Sequence, residues 1–337
     1  MEFLYEYGLF LLKAITVVIA IVLVIGMSVS MSGKHKDAGR GELEISHLSE
    51  KLQEAEMLAR ALISSKDEFK EWKKQQKHLD KEKSKSESPG KLFVVDFKGS
   101  MAANEVEGLR EEISTIVTLA GEKDEVLVRL ESPGGVVHGY GLAASQLQRL
   151  RDHNIPFTAC VDKVAASGGY LMACVANKIV AAPFAIIGSI GVLAQTPNFH
   201  RLLKKNNIDF EMHTAGEYKR TITMFGENSD EGREKFKQEL QQVHDLFKGF
   251  VDEHRENLDI AKVATGEYWH AKQAIEMGLV DELGTSDDIL LKAAKERDVL
   301  LVKFREKKSV AEKIAGTVSL TAQSIVSNLW EKQQTKF

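Results

Sequence analysis

An α/β fold is what this sequence predicts, and two observations predict it. Between residues 91 and 295, short apolar, β-branched runs alternate with stretches of helical periodicity, the pattern of strands and helices packed in layers. Two junctions between a strand-like run and the helix after it carry paired glycines, Gly134-Gly135 and Gly168-Gly169, at places where backbone N–H groups are left without helical partners. At 337 residues the chain is long enough for one large domain or two modest ones. Its 43% hydrophobic and 28% charged residues are ordinary globular values, and a formal net charge of -4 gives no sign of a nucleic-acid partner.

The first 32 residues read as a membrane anchor. From Leu9 to Met27 the chain is apolar except for Lys13, Thr16 and Gly26, roughly the 20 residues that cross a hydrocarbon core as a helix. The start is acidic, with Glu2 and Glu6, and the apolar run is long, which favours an uncleaved anchor over a signal peptide cleaved near Ser28-Val29-Ser30. No Lys or Arg precedes the span, whereas Lys34, Lys36 and Arg40 follow it, so the charge rule places the bulk of the chain in the cytoplasm.

Residues 33–90 are expected to form a charged helical stalk and linker. Apolar residues recur at Ile45, Leu48, Leu52, Ala55, Ala59 and Leu62, the stripe of an amphipathic helix between Gly41 and Leu79. From Lys66 to Lys85 lysines outnumber acids, which suits a solvated helix or contact with lipid head groups. Ser84 to Gly90 is a breaker cluster and marks the boundary of the globular domain.

That domain opens with a buried-strand run, Leu92–Phe97, and a helical stretch from Asn104 to Leu119. A second strand, Val126–Leu130, runs into Glu131-Ser132-Pro133-Gly134-Gly135 and a helix to about Arg151. A third, Phe157–Val161, leads to Ser167-Gly168-Gly169-Tyr170 and another helix. Ile208–His213 is strand-like, and Ser229–Asn257 is a long charged helix with Phe236, Leu240, Val243, Phe247 and Phe250 on one stripe. Residues 296–337 form a basic, then amphipathic, extension with a helix from Val310 to Trp330. The two cysteines, Cys160 and Cys174, lie in apolar contexts and read as buried thiols; neither they nor the scattered histidines have metal-ligand spacing.

Taken alone, the first glycine turn is a turn and Ser167 a helix cap. A serine nucleophile also needs a base within hydrogen-bond reach, either a histidine or a lysine made neutral by burial. His138, at the start of a helix beside the first glycine turn, is the best-placed histidine but has no evident acidic partner. Lys219, in Gly216-Glu217-Tyr218-Lys219, looks by itself like a surface lysine.

Four motifs in this order change that reading: Glu131-Ser132-Pro133-Gly134-Gly135, Ala165-Ala166-Ser167-Gly168-Gly169-Tyr170, Ile187-Gly188-Ser189-Ile190-Gly191-Val192 and Gly216–Lys219. Together they resemble the signal peptide peptidase A family of serine-lysine proteases. The N-terminal anchor, the lysine-rich stalk and Asp96-Phe97-Lys98-Gly99-Ser100 resemble its SohB branch. The resemblance implies a Clp protease/crotonase-like spiral of ββα units over residues 91–295. It makes Ser167 the nucleophile, Lys219 the general base and Ser189 the residue that orients the lysine. Gly134, Gly135 and Gly168 would supply the oxyanion hole, with no cofactor and no metal. It further implies a single-pass anchor in the cell inner membrane, a homo-oligomer enclosing its sites, and peptides or signal peptides as substrates. By family analogy the domain is periplasmic, against the charge rule. Lys219 would need an apolar pocket to lower its pKa by several units from about 10.4, with Met172, Phe184, Ile186 and Ile190 as wall candidates. The competing expectations are a crotonase-like acyl-CoA enzyme, which uses a similar oxyanion hole, and a non-catalytic oligomeric membrane scaffold.

Overall fold

The computed structural model describes residues 41–83 and 89–305, together with Gly8, Phe10, Lys13 and Thr16. The expected anchor over residues 9–27 (those positions apart) and the expected helix over residues 310–330 lie outside the described residues. Among the described residues no helix is long and apolar enough to cross a membrane. Leu43–Phe304 form one compact unit.

Strand β1 (Glu42–His47) and helices α1 (Leu48–Ile63) and α2 (Lys66–Lys83) come first. Next run β2 (Leu92–Lys98), α3 (Val106–Leu119), β3 (Glu125–Glu131), α4 (Val137–Asp152), β4 (Phe157–Val161), β5 (Val164–Ala166), α5 (Gly168–Ala173), β6 (Lys178–Ala181) and β7 (Ile186–Gly188). α6 (His200–Lys205), α7 (Asp230–His254), α8 (Ile260–Val263), β8 (Tyr268–His270), α9 (Ala271–Ala274), β9 (Glu282–Leu283), α10 (Ser286–Glu296) and β10 (Val299–Arg305) complete the order. Seven strands form one sheet in the order β1-β10-β2-β3-β4-β6-β9, and three form a second, β5-β7-β8. From β10 to β9 every pairing in the large sheet is parallel; in the small one β5-β7 is parallel and β7-β8 antiparallel. The mixed α/β class expected from the sequence, with a mostly parallel sheet, is therefore present.

A parallel sheet covered on both faces needs strands that are apolar throughout, and β2 meets that need with Leu92, Phe93, Val94 and Val95 all buried. Alternation sends Phe93, Val95 and Phe97 into the core with Leu109 and Ile113 of α3 and Leu147 of α4. Leu92 and Val94 face the other way, with Leu290 of α10 and with Leu48 and Leu52 of α1 against them. Twice the chain leaves the large sheet for the small one, from β4 to β5 and from β6 to β7, so the ends of β5 and β7 lie side by side.

Three expectations about local structure change. The stalk is not one helix from Gly41: residues 42–47 form β1, at the edge of the large sheet, and α1 follows. A second helix then begins after Ser64-Ser65, where Ser65 and Glu68 form a capping box, Glu68 accepting from the Ser65 N–H at 2.8 Å and Ser65 Oγ from the Glu68 N–H at 3.4 Å. Because Leu48 and Leu52 pack on the α10 side of the sheet, the first half of the stalk belongs to the domain. At the other end the sheet takes in β10, beyond the expected limit at residue 295, and inserts it between β1 and β2. Ile208–His213 forms no strand, because no strand among the described residues offers it a ladder and β-propensity has little force without one.

Candidate active site

Ser167 is built into a kink. It sits between β5 and α5 with φ 51° and ψ -120°, a left-handed φ that a residue with a Cβ adopts only when its surroundings impose it, at a cost on the order of 1–3 kcal/mol. The imposition is visible: the Ser167 N–H donates to the Gly188 carbonyl at 2.8 Å, and its own carbonyl accepts from Leu171 N–H at 3.0 Å. Ser189 has the same kink, φ 52°, directly after Gly188 at φ 98°, and its N–H donates to the Glu267 carbonyl at 2.6 Å. Since Ala166 pairs with Gly188 in the β5-β7 ladder, Ser167 and Ser189 leave adjacent strand ends together, and both are half-buried.

The two glycine turns meet at this kink. A Cβ on Gly134, at φ 87°, would lie 2.7 Å from both the Ser167 Cβ and the Gly168 nitrogen, so only glycine lets the first turn close on the second. A Cβ on Gly135 would lie 2.1 Å from the Met101 carbonyl oxygen, and one on Gly168 would lie 2.4 Å from the Tyr140 ring. The expected donors divide on inspection. Gly134 N–H already donates to Ser132 Oγ at 3.1 Å, and Val136 N–H to Met101 O at 2.9 Å. Among the described residues Gly135 N–H and Gly168 N–H have no hydrogen-bond partner. Those two are among the N–H groups near Ser167 left available to a developing oxyanion.

Lys219 lies elsewhere in character. It is exposed, in a turn after Gly216 (φ 97°), with its N–H on the Gly216 carbonyl at 3.2 Å. Its neighbours lean on the start of α7: the Lys235 ammonium lies 5.0 Å from the Tyr218 ring centroid, and Thr221 Oγ1 donates to Glu239 at 3.5 Å. Among the described residues no hydrogen bond or ion pair joins Lys219 to Ser167 or Ser189. The apolar pocket expected around Lys219 is not formed by the described residues. Met172 and Ile190 are fully buried in the core, Ile186 is half-buried, and Phe184 is 85% exposed, so these four do not wall such a pocket. The physical reason lies in the stretch from Leu193 to Phe225, which holds only the short α6 and carries exposed apolar side chains, among them Leu193, Leu202, Phe210 and Phe225. His138 is exposed on α4 and has no carboxylate partner among the described residues.

Two residues went unnoticed in the sequence, Ser132 and Tyr140, both fully buried beneath the first glycine turn. Ser132 stands inside the glycine motif but reads as part of a turn, and Tyr140 falls in the expected helix after it with nothing local to single it out. Cys160 and Cys174 are buried free thiols, and burial pushes the Cys160 thiol up to about 12, so neither supplies a rival nucleophile.

Residues 2–147 match a family model described as peptidase family S49 N-terminal, and residues 149–300 one described as peptidase family S49. A probable protease SohB of Haemophilus influenzae is 48% identical over 100% of this chain and 99% of its own. The chain belongs to peptidase family S49. It falls in the SohB branch of that family: a second probable protease SohB, of Buchnera aphidicola subsp. Acyrthosiphon pisum, is 59% identical over 68% of each chain. A putative signal peptide peptidase SppA of Enterococcus faecium is 28% identical over 53% of this chain and 54% of its own. This S49 chain is accordingly a peptidase. The seam between the two matched segments falls within α4, the helix whose Tyr140 reaches under the site, so it divides the sequence and not the fold.

Proposed function

We propose that this S49 peptidase is a membrane-anchored serine endopeptidase with Ser167 as nucleophile and Lys219 as base. The observation that supports it most is the strained Ser167 kink, closed on by Gly134 and flanked by the unclaimed N–H groups of Gly135 and Gly168. Neutral Lys219 takes the Ser167 hydroxyl proton as Oγ attacks a peptide carbonyl; the carbonyl oxygen becomes an oxyanion held by the two N–H groups. The C–N bond then breaks, the amine leaves with the proton returned by Lys219, and water hydrolyses the acyl-enzyme by the same steps. Ser189, beside Ser167 at the strand ends, is suited to hold the lysine amine.

The exposure of Lys219 fits this reading if the enzyme works as an oligomer. A lysine is neutral near pH 7 only when desolvated, and the exposed apolar side chains around residues 193–225 are the surface that a second copy would cover. The apolar run over residues 9–27 supports anchoring to a membrane. Substrates are then peptides and unfolded segments that reach the membrane, signal peptides among them, the last supported by the name of the Enterococcus relative.

The test is proteolysis of casein and of a signal peptide by wild type, Ser167→Ala and Lys219→Ala. Loss of turnover in both variants, with folding intact by circular dichroism, is expected. Turnover that survives both substitutions removes the dyad.

A further inference from the structure

Beneath the first glycine turn runs a chain of hydrogen bonds that the dyad does not use. Tyr140 Oη approaches two oxygens, the Ser100 carbonyl at 2.8 Å and Ser132 Oγ at 2.5 Å. A carbonyl only accepts, so the single Tyr140 proton goes to Ser100, and Ser132 must donate its own proton to Tyr140 Oη. Ser132 Oγ is then left with a lone pair for the Gly134 N–H, which it accepts at 3.1 Å. The direction is fixed throughout: Gly134 N–H to Ser132 Oγ, Ser132 O–H to Tyr140 Oη, Tyr140 O–H to Ser100 O. Burial raises the Tyr140 pKa, so the phenol keeps the proton that it donates to the Ser100 carbonyl.

Both ends of this chain are anchored. Ser100 is tied by its N–H and hydroxyl to the Glu105 carboxylate, at 3.1 and 3.0 Å, and the next carbonyl, of Met101, takes the Val136 N–H at 2.9 Å. The N–H groups on either side of Gly135 are thus both occupied, one through the hydroxyl chain and one directly. The Tyr140 ring meanwhile lies against Gly168, where a Cβ would approach within 2.4 Å, and its hydroxyl lies against Gly99, where a Cβ would approach within 2.3 Å. One buried tyrosine therefore touches both turns that carry the free N–H groups.

We propose that Tyr140 and Ser132 are positioning residues for the oxyanion hole: their hydroxyl relay holds the Gly134-Gly135 turn so that Gly135 N–H, and not its neighbours, is presented beside Gly168 N–H. The proposal rests on Ser167 being the nucleophile. Each hydroxyl both donates and accepts within a site closed to solvent, where a satisfied chain fixes geometry and a broken one leaves a buried group unpaired.

The test uses the full-length chain in detergent. Tyr140→Phe removes one oxygen and keeps the ring, and Ser132→Ala removes the middle of the relay. Each is expected to lower kcat about tenfold to a hundredfold with KM little changed, somewhat less than direct loss of an oxyanion donor. A peptide aldehyde, whose adduct carries the oxyanion, is expected to weaken by the same factor as kcat/KM. Ser132→Thr, which restores a hydroxyl, is expected to recover most of kcat, and the double variant to be no worse than the poorer single one. Unchanged kcat in Tyr140→Phe overturns the relay, as does a fall in melting temperature with aldehyde affinity kept at wild type. Wild-type labelling of Ser167 by a fluorophosphonate, with Ser167→Ala inactive, separates that failure from failure of the nucleophile. Activity retained by Ser167→Ala sinks both.

Discussion

The surroundings of Ser167 and those of Lys219 are built in opposite ways. Around Ser167 the backbone is held from several sides: β5 and β7 fix the kink, Gly134 closes on it, and Tyr140 and Ser132, fully buried, lie below. Around Lys219 the chain makes turns and leans on one side of α7, and the 193–225 stretch that holds it leaves Leu202 and Phe210 exposed. Under the proposed dyad, the described residues finish the electrophile-binding half of the site and leave the proton-accepting half open. A nucleophile and its oxyanion hole need sub-ångström placement, which a packed core supplies. A lysine base needs exclusion of water, which a covering surface can supply later.

The comparison breaks most decisively at the two named residues. Ser167→Ala and Lys219→Ala are each expected to lower kcat on the order of 10⁴-fold on casein, as removal of one member of a nucleophile-base unit does elsewhere. If only Ser167→Ala has that effect, Lys219 is an ordinary surface residue and the open half is not part of the site. Gly134→Ala probes the closed half. Its positive φ and the 2.7 Å approach to Ser167 Cβ forbid a methyl group, so a loss of about 10²- to 10³-fold in kcat is expected, read beside an unchanged far-ultraviolet spectrum.

The open half is sharpened by charge. Leu202→Asp together with Phe210→Asp places unpaired carboxylates on the surface that a second copy would cover. A smaller sedimentation coefficient with activity reduced at least tenfold is expected, since an unpaired charge in an interface costs several kcal/mol. Full activity in a monomer would mean that Lys219 needs no cover.

The smallest effect on turnover is expected from Glu112, on α3 and away from both halves. Burial raises its carboxyl to about 7 from the ordinary 4.5, against the Phe304 N–H that it accepts at 2.8 Å. The folded chain holds this proton between those two values and the unfolded chain does not, so stability falls as pH rises from about 4.5 to about 7 and levels off above. Glu112→Gln keeps an acceptor for Phe304 and removes the charge. Urea unfolding is expected to show it more stable than wild type by about 2–3 kcal/mol at pH 8, with the gap closing at pH 4.5 and kcat unchanged.

Much of this was legible in the residues. β2, β3 and β4 were read within a residue or two, because strands covered on both faces must be apolar throughout and helices between them must show their own period. Ser167, Gly134, Gly135 and Gly168 stood out only through the order of the four motifs, since each turn alone reads as a turn or a helix cap. What was not legible depended on distant partners. β1 reads as helix until β10 stands beside it, and Ile208–His213 reads as strand although nothing among the described residues pairs with it. Tyr140 could not be told from any other apolar-face residue of α4, since its hydroxyl acquires a role only where Ser100, from another part of the chain, comes within reach.

Local pattern along the chain was enough for the α/β class, the order of the four motifs and, through them, the S49 family. Such a pattern is written in neighbouring residues. The packing of distant segments settles, among the described residues, that Gly134 N–H is spoken for while Gly135 N–H is not, that Ser167 and Ser189 leave paired strands together, and that Lys219 is exposed. Those depend on which groups remain unpaired once distant segments have packed, and a pairing has two ends of which the local sequence shows one.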